Sequence, residues 1–146
     1  VLASSSGGTQ AGLVLGAKQT SFPGRILGIS VDKPADELTQ TIMALANQTA
    51  AWLGIDKKIE SEDVVVNDAY CQAGYGILQP AEVEAIRLFA RTEGILLDPV
   101  YTGRAAAGLI DLIRKGFFSP NETVLFWHTG GIPALFAEPY ASALRG

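Results

Sequence analysis

The stretch Val1–Leu15, VLASSSGGTQAGLVL, decides how this chain folds. Three apolar residues come first, three serines and two glycines follow, and a second apolar run closes the stretch. Glycines let backbone N–H groups point at an anion, hydroxyls add donors, and a following helix adds the positive end of its dipole. The stretch therefore predicts a strand, a loop that binds an anion such as phosphate, and a helix. A tight strand–helix turn capped by serine is the alternative interpretation.

Outward from this loop, short apolar runs alternate with segments of helical spacing. The runs that predict strands are Ile26–Val31, Val64–Val66 and Val124–His128. The segments that predict helices are Thr9–Thr20, Ala35–Leu53, Pro80–Arg91, Gly103–Lys115 and a short last one at Ala134–Ala137. The first of these helices is apolar nearly all round, so we expect it to be buried. The alternation predicts an α/β fold with an open, mainly parallel sheet and helices on both faces.

Composition excludes several classes of protein. A chain of 146 residues with 48% apolar residues is long enough for one compact domain. Its formal net charge of −4, with no cluster of basic residues, argues against a nucleic-acid partner. No apolar run approaches the roughly 20 residues of a membrane-spanning helix. The single cysteine, Cys71, excludes an internal disulfide and fits a reducing, cytoplasmic compartment.

Two glycine loops are expected at the carboxyl ends of strands, where open parallel sheets bind ligands: Ser6–Thr9 and Thr129–Gly131. Neither fits a nucleotide pattern, because Gly7-Gly8 is followed by Thr9-Gln10 rather than Lys-Ser/Thr, and the glycines are adjacent. No metal site is expected, because His128 is the only histidine and no ligand spacing connects it to Cys71. We expect a structural role for His128 and a small buried thiol at Cys71.

Five motifs occur in an order that resembles a known family. They are Ser6–Gly12 (SGGTQAG), Gly74–Gly76 (GYG), Ala81–Gly94 (AEVEAI through ARTEG), Asp98–Tyr101 (DPVY) and His128–Leu135 (HTGGIPAL). Together they resemble the C-terminal half of the pyridoxal-phosphate (PLP) enzymes that comprise D-cysteine desulfhydrase and 1-aminocyclopropane-1-carboxylate (ACC) deaminase. The resemblance covers essentially the whole chain.

The resemblance implies a fold and a cofactor. The fold is that of tryptophan synthase β-like, or fold type II, PLP enzymes, and residues 1–146 are expected to be the C-terminal portion of the large PLP-binding domain. Ser6, Gly7, Gly8 and Thr9 are expected to hold the cofactor phosphate. The other expected cofactor-binding residues are Thr102, Thr129 and Gly130, and Thr129 would hydrogen-bond the ring nitrogen.

The resemblance also implies the catalytic residues and what lies outside the chain. Tyr75 and Tyr101 match tyrosines that approach the substrate, a small amino acid. The five lysines, Lys18, Lys33, Lys57, Lys58 and Lys115, all lie outside the family's lysine motif. An N-terminal part with the small domain and the Schiff-base lysine is therefore expected upstream. The chain opens on Val1 without an initiator Met, which fits a fragment that is inactive without this part. Family members pair as homodimers, which is the expectation here.

Thr102 and Thr129 distinguish the two branches of the family. The deaminase branch is expected to have Glu and Leu at these positions, whereas the desulfhydrase branch places a threonine against the ring nitrogen. The pair of threonines favours α,β-elimination of D-cysteine to pyruvate, ammonia and hydrogen sulfide. Deamination of ACC to 2-oxobutanoate is the alternative within the family. A noncatalytic domain that binds a phosphometabolite is the alternative outside it.

Overall fold

A computed structural model of the chain describes residues 1–145. Its sheet has three strands, β1 (Leu2–Ser4), β2 (Leu27–Ser30) and β3 (Val65–Asn67), in the order β1-β2-β3. Both pairs of neighbouring strands are parallel, with Leu2 opposite Gly28 and Gly28 opposite Val66. The prediction of a parallel sheet is confirmed.

Five α-helices and two short 3₁₀ helices surround the sheet. The α-helices are α1 (Gly8–Thr20), α2 (Ala35–Leu53), α3 (Pro80–Glu93), α4 (Thr102–Arg114) and α5 (Tyr140–Leu144), and the 3₁₀ helices span Ser61–Asp63 and Ile132–Phe136. The four long helices match the predicted ones to within two residues at each end. Gly54 and Gly94 end α2 and α3 in the left-handed conformation that glycine adopts without strain. The short last helix was wrong in type, because Ile132–Phe136 is a 3₁₀ helix.

Helices cover both faces of the sheet, as predicted. On one face, α1 and α2 share a core that includes Ala11, Val14, Leu38 and Ile42. On the other face, Leu27 and Ile29 of β2 pack with Ala105 and Leu112 of α4. Helix α3 packs on α4 through a third core that includes Ala85, Ile86 and Ala106. The sheet is therefore covered by α1 and α2 on one face and by α4 on the other.

Helix α1 is buried on one side only, which corrects the expectation of a helix buried all round. Its buried residues are Gln10, Ala11, Val14 and Leu15. Gly12 and Gly16 on the other side are exposed. Nothing within residues 1–145 packs against this second side, so its apolar residues are not buried there.

The segment Val124–His128 is extended but is not the regular strand that the sequence predicted. It forms a single parallel bridge, Leu2 with Trp127. Two hydrogen bonds hold it, from Val1 N to Leu125 O at 2.7 Å and from Trp127 N to Val1 O at 2.8 Å. The physical reason is that both of these bonds go to Val1, so the contact stays at the first residues of the β1 edge and does not run along the strand. The segment nevertheless lies beside β1, so its following loop reaches the same edge of the sheet as the loop after β1.

Within residues 1–145, none of the helices combines the length and the apolar character that crossing a membrane requires.

Candidate cofactor site and active site

The loop after β1 leaves the amino end of α1 open. Gly7 is the N-cap residue, and no side chain caps the helix. The first helical hydrogen bond runs from Ala11 N to Gly7 O at 2.8 Å. The amides of the preceding residues therefore have no acceptor inside the helix. Open amides together with the positive end of the helix dipole form a site for an anion.

Glycine is required at position 7 for two reasons. Its φ of 84° lies in the left-handed region, which is strained for other residues. A Cβ atom built on Gly7 would also lie 2.9 Å from Cγ1 of Ile42 on α2. The loop backbone thus lies directly against α2, and the glycine lets it turn there.

A cavity of about 260 Å³ lies in front of this loop. Its lining includes every residue from Ala3 to Gln10, together with Tyr101 and Thr129. The lining contains hydroxyl groups and backbone amides but no carboxylate and no basic side chain. The cavity can therefore take an anion through neutral donors and the helix dipole.

Ser4 gives an independent test of whether a phosphate group fits. Its side chain is almost fully buried, at 4% exposure, and lines the cavity. Its Oγ atom has no hydrogen-bond partner among residues 1–145. A buried hydroxyl without a partner costs free energy, so a ligand oxygen at this place would stabilise it. The serines, glycines and Thr9 of this loop thus fit a phosphate group.

The second glycine loop meets the first across the cavity, because Thr129 lies on the cavity wall. His128 shapes this loop. Its Nδ1 accepts a hydrogen bond from Gly130 N at 2.9 Å, so its Nε2 carries the proton and donates to Leu96 O at 2.9 Å. His128 therefore has the structural role expected of it. Gly130, with φ of 104°, does not line the cavity.

Tyr75 and Tyr101 are 26 positions apart in sequence and come together in the fold. The contact with substrate expected of both stays a prediction. Their hydroxyl groups are in hydrogen-bond contact, and their rings are T-shaped with centroids 5.8 Å apart. The hydrogen bond to Tyr75, followed by burial, raises the pKa of Tyr101 to about 12. Tyr101 lines the cavity, whereas Tyr75 is not among its lining residues and is 54% exposed.

Asp98 fixes the position of Tyr101, and site prediction from the sequence missed it. The buried Asp98 carboxylate accepts hydrogen bonds from three successive amides, Val100 at 2.8 Å, Tyr101 at 2.7 Å and Thr102 at 2.6 Å. An Asp that accepts bonds from amides two to four residues ahead is a turn device, and the Asp98-Pro99 pair was the available signal. Asp98 thereby holds Tyr101 at the start of α4.

Thr102 lies behind the cavity wall rather than in it. Its side chain is fully buried, and its Oγ1 donates to Asp98 Oδ1 at 2.7 Å. The same Oγ1 accepts a hydrogen bond from Asp98 N at 2.9 Å. Both contacts stabilise the start of α4. The cofactor-binding role predicted for Thr102 stays a prediction, and the structure gives its hydroxyl a partner in Asp98.

Arg104 ties the loop that carries Tyr75 to the rest of the site. This fully buried side chain donates to Gly74 O at 2.9 Å and Ile77 O at 2.8 Å, on either side of Tyr75. It also donates to Val31 O at the end of β2 and forms an ion pair with Glu82 at 2.8 Å. No sequence signal marked Arg104, because the spacing of an arginine on a helix does not show that it is buried.

Residues 1–145 place no lysine at the cavity. The lysine nearest to the phosphate loop in sequence, Lys18, forms an ion pair with Asp63 at 2.6 Å. Cys71, expected to be a small buried thiol, is only partly buried, and its Sγ lies 3.2 Å from the Asp68 carbonyl oxygen. Within the same range, no three His, Cys, Asp or Glu side chains are grouped so as to hold a metal ion.

Comparison with known proteins agrees with this geometry. The family model described as "pyridoxal-phosphate dependent enzyme" matches residues 1–130. The chain is 39% identical over 145 residues to the 1-aminocyclopropane-1-carboxylate deaminase of Burkholderia vietnamiensis, covering 99% of this chain and 42% of that one. It is 38% identical over 140 residues to the protein of the same name from Pseudomonas syringae pv. tomato, covering 96% of this chain and 41% of that one.

A solved structure described as an ACC deaminase homologue superposes with a TM-score of 0.85 at 38% identity. The match covers 99% of this chain and 42% of that one, so the chain spans less than half the length of the relatives it matches. An open parallel sheet, a phosphate-fitting loop and a family match over residues 1–130 agree with one another. The chain belongs to the pyridoxal-phosphate dependent enzymes of fold type II, and its cofactor is PLP.

Proposed function

We propose that the parent protein, of which residues 1–146 form the C-terminal portion of the large domain, eliminates hydrogen sulfide from D-cysteine. The products are pyruvate and ammonia. The observation that carries the proposal is the neutral wall of the cavity. Thr129 lines it with Tyr101, and no Asp or Glu is among the lining residues. Thr102, where the deaminase branch is expected to have Glu, is buried against Asp98.

The chain would supply the contacts to the phosphate and to the ring nitrogen of the cofactor. The amides at the start of α1 and the hydroxyls of Ser4, Ser6 and Thr9 would hold the phosphate. The Thr129 hydroxyl would hydrogen-bond the ring nitrogen, with Gly130 setting the turn of its loop. When bound, PLP supplies an electron sink that stabilises negative charge on the α-carbon of the substrate.

The identity of residue 129 bears on which reaction the site favours, because its side chain would contact the ring nitrogen of the cofactor. A neutral hydroxyl, unlike a carboxylate, does not stabilise a proton on the ring nitrogen, so the ring withdraws electrons less strongly. Elimination of a good leaving group such as thiolate needs less withdrawal than the opening of a cyclopropane ring, which cannot begin with removal of an α-proton. The neutral wall therefore favours elimination from cysteine.

Tyr101 and Tyr75 would act on the substrate. A pKa of about 12 keeps the Tyr101 phenol protonated at neutral pH. The phenol can therefore orient the substrate carboxylate or donate a proton to the leaving sulfur. Tyr75, hydrogen-bonded to Tyr101, holds this hydroxyl in place. The lysine that would carry the cofactor and remove the α-proton lies in the part of the polypeptide outside residues 1–146.

Deamination of ACC is the second candidate, and the names of the relatives favour it. The relatives at 36% to 40% identity carry the name 1-aminocyclopropane-1-carboxylate deaminase. The threonine at position 129 is the argument against this reaction. A noncatalytic phosphometabolite-binding domain is the third candidate, and a parent protein without a cofactor-bearing lysine would favour it.

The test uses the full-length protein loaded with PLP and offered D-cysteine, L-cysteine and ACC in separate assays. We expect sulfide and pyruvate from D-cysteine and no 2-oxobutanoate from ACC. Thr129→Leu should lower kcat for D-cysteine by about tenfold or more, the effect of one lost active-site hydrogen bond. Thr92→Leu, at an exposed site on α3, is the matched control and should leave kcat unchanged. Release of 2-oxobutanoate from ACC would overturn the assignment.

A further inference from the structure

An apolar groove of about 750 Å³ lies on the α1 face of the sheet, separate from the phosphate cavity. One wall is the exposed side of α1, with Gly12, Leu13 and Gly16. The floor is formed by Leu2 of β1 and by Leu125 and Trp127 of the extended segment beside it.

The α1 wall has the character of a helix contact surface. Gly12 and Gly16 lie one turn apart, and a Cβ atom on either would meet nothing within 4 Å. Glycine inside a helix costs about 1 kcal/mol relative to alanine, so contacts within residues 1–145 do not explain either glycine. Small residues four positions apart let the backbone of a second helix approach closely.

The floor exposes large apolar side chains. Leu125 is 65% exposed and Trp127 is 45% exposed, although both flank the buried edge of β1. A contiguous apolar surface of this kind marks a place where another element packs.

We propose that a helix of the parent polypeptide, the one that leads into β1, occupies this groove and crosses α1 at Gly12 and Gly16. The relatives are long enough to contain such a helix, since the match covers only 42% of their length. Val1 lines the groove, so a helix lying there would need only a short connection to enter β1.

The handedness of the strand connections indicates on which face of the sheet the proposed helix lies. Helices α1 and α2 connect β1 to β2 and β2 to β3 and share a core on one face, while α4 covers the other face. Connections between parallel strands are right-handed in about 98% of cases. Suppose that the strand preceding β1 in sequence lies on the far side of the segment Val124–His128. The connection from that strand to β1 would then run across the sheet in the same direction as the connection from β1 to β2. Its connecting helix would therefore lie on the α1 face, where the groove is.

The experiment that identifies the occupant is photo-crosslinking in the full-length protein. Thr20 lies at the groove and is exposed at the end of α1, so Thr20→Cys can carry a photoreactive maleimide. We expect the crosslinked peptide to lie in the helix that ends shortly before Val1. A crosslink to a different part of the same chain would overturn the proposal. A crosslink between two copies that disappears on dilution would assign the groove to a second copy and also overturn it.

A stability measurement tests the contact at the glycines. Gly12→Leu in the full-length protein should lower Tm by about 3 °C or more, because the added side chain would collide with the second helix. Ala44→Leu, at an exposed site in the middle of α2, is the matched control and should change Tm by less than about 1 °C. In the wild type, oxidative footprinting should show Trp127 protected at every protein concentration. A neutral Gly12→Leu together with a readily oxidised Trp127 would exclude a helix in the groove.

Discussion

At the scale of single residues, the phosphate loop depends on one backbone conformation. Gly7 combines a left-handed φ of 84° with a 2.9 Å approach of its missing Cβ to Ile42. Its neighbour Gly8 has open space where a Cβ would lie. The two glycines are adjacent in sequence, but only the first is required by the fold.

Gly7→Ala in the full-length protein should weaken PLP binding by about tenfold or more, because strain and the collision with Ile42 displace the loop amides. The measurement is a titration of the apo-protein with PLP, followed by absorbance. Gly54→Ala is the matched control, since Gly54 has a φ of 65° but nothing within 4 Å of its Cβ position. It should lower Tm without changing the affinity for PLP. Equal PLP affinities of the two variants would contradict the role given to Gly7.

Thr102 and Thr129 show how far residue identity alone carries a prediction. Thr102 is the first residue of α4 and Thr129 lies in the loop after the extended segment, and the family resemblance predicts that both bind the cofactor. The Thr102 hydroxyl is fully buried and bonded to Asp98, whereas Thr129 lines the cavity. The two threonines differ in where the backbone places them: the Thr102 hydroxyl lies next to Asp98, whereas Thr129 lies at the cavity.

At the scale of elements, two ion pairs join α3 to α4 in different surroundings. Arg104 and Glu82 are paired at 2.8 Å with side-chain exposures of 0% and 4%. Arg114 and Glu84 are paired at 2.5 Å with exposures of 58% and 51%. The buried pair also holds the Tyr75 loop through Gly74 O and Ile77 O, so it connects packing to the site.

Arg104→Met should lower the free energy of unfolding by about 3–5 kcal/mol, because it leaves the Glu82 carboxylate buried without its partner. Arg114→Met, which breaks the solvent-exposed pair between the same helices, should lower the free energy of unfolding far less, because water screens that pair. Urea denaturation of the full-length protein measures both values. If both variants lost a similar amount of free energy of unfolding, the buried pair would be no more important for stability than the exposed pair.

Helix ends were easier to predict than strand pairing. Pro80 at the start of α3 and Gly94 at its end act through local conformation, so spacing and residue type were enough. The segment Val124–His128 has the composition of a strand, but strand pairing depends on which backbone groups meet in the fold. Its backbone hydrogen bonds go to Val1, so it forms only one bridge with β1.

At the scale of the whole molecule, residues 1–145 offer donors for a phosphate group at the cavity but no lysine. No lysine within residues 1–145 lines the cavity, and Lys18 is paired with Asp63. We therefore expect the covalent attachment of the cofactor to come from another part of the parent polypeptide, as the family resemblance implies.

Borohydride reduction of the PLP-loaded full-length protein, followed by peptide mapping, should place the phosphopyridoxyl group on a lysine outside residues 1–146. Lys18, Lys33, Lys57, Lys58 and Lys115 should remain unlabelled, and each serves as an internal control for nonspecific reaction. A stoichiometric label on any of these five would contradict the division of the site between the two parts of the protein.

The sequence by itself determined the α/β class and the four long helices, because these depend on local periodicity and on glycine conformation, and its motifs indicated the PLP-dependent family. The phosphate-binding role of the loop stays a prediction, which the uncapped start of α1 and the buried Ser4 hydroxyl support. Only the tertiary structure decided that Asp98 and Arg104 position the two tyrosines, that Thr102 is buried, and that one side of α1 is open. Burial and hydrogen-bond partners depend on contacts between residues far apart in sequence, and neither composition nor spacing encodes which of those contacts form.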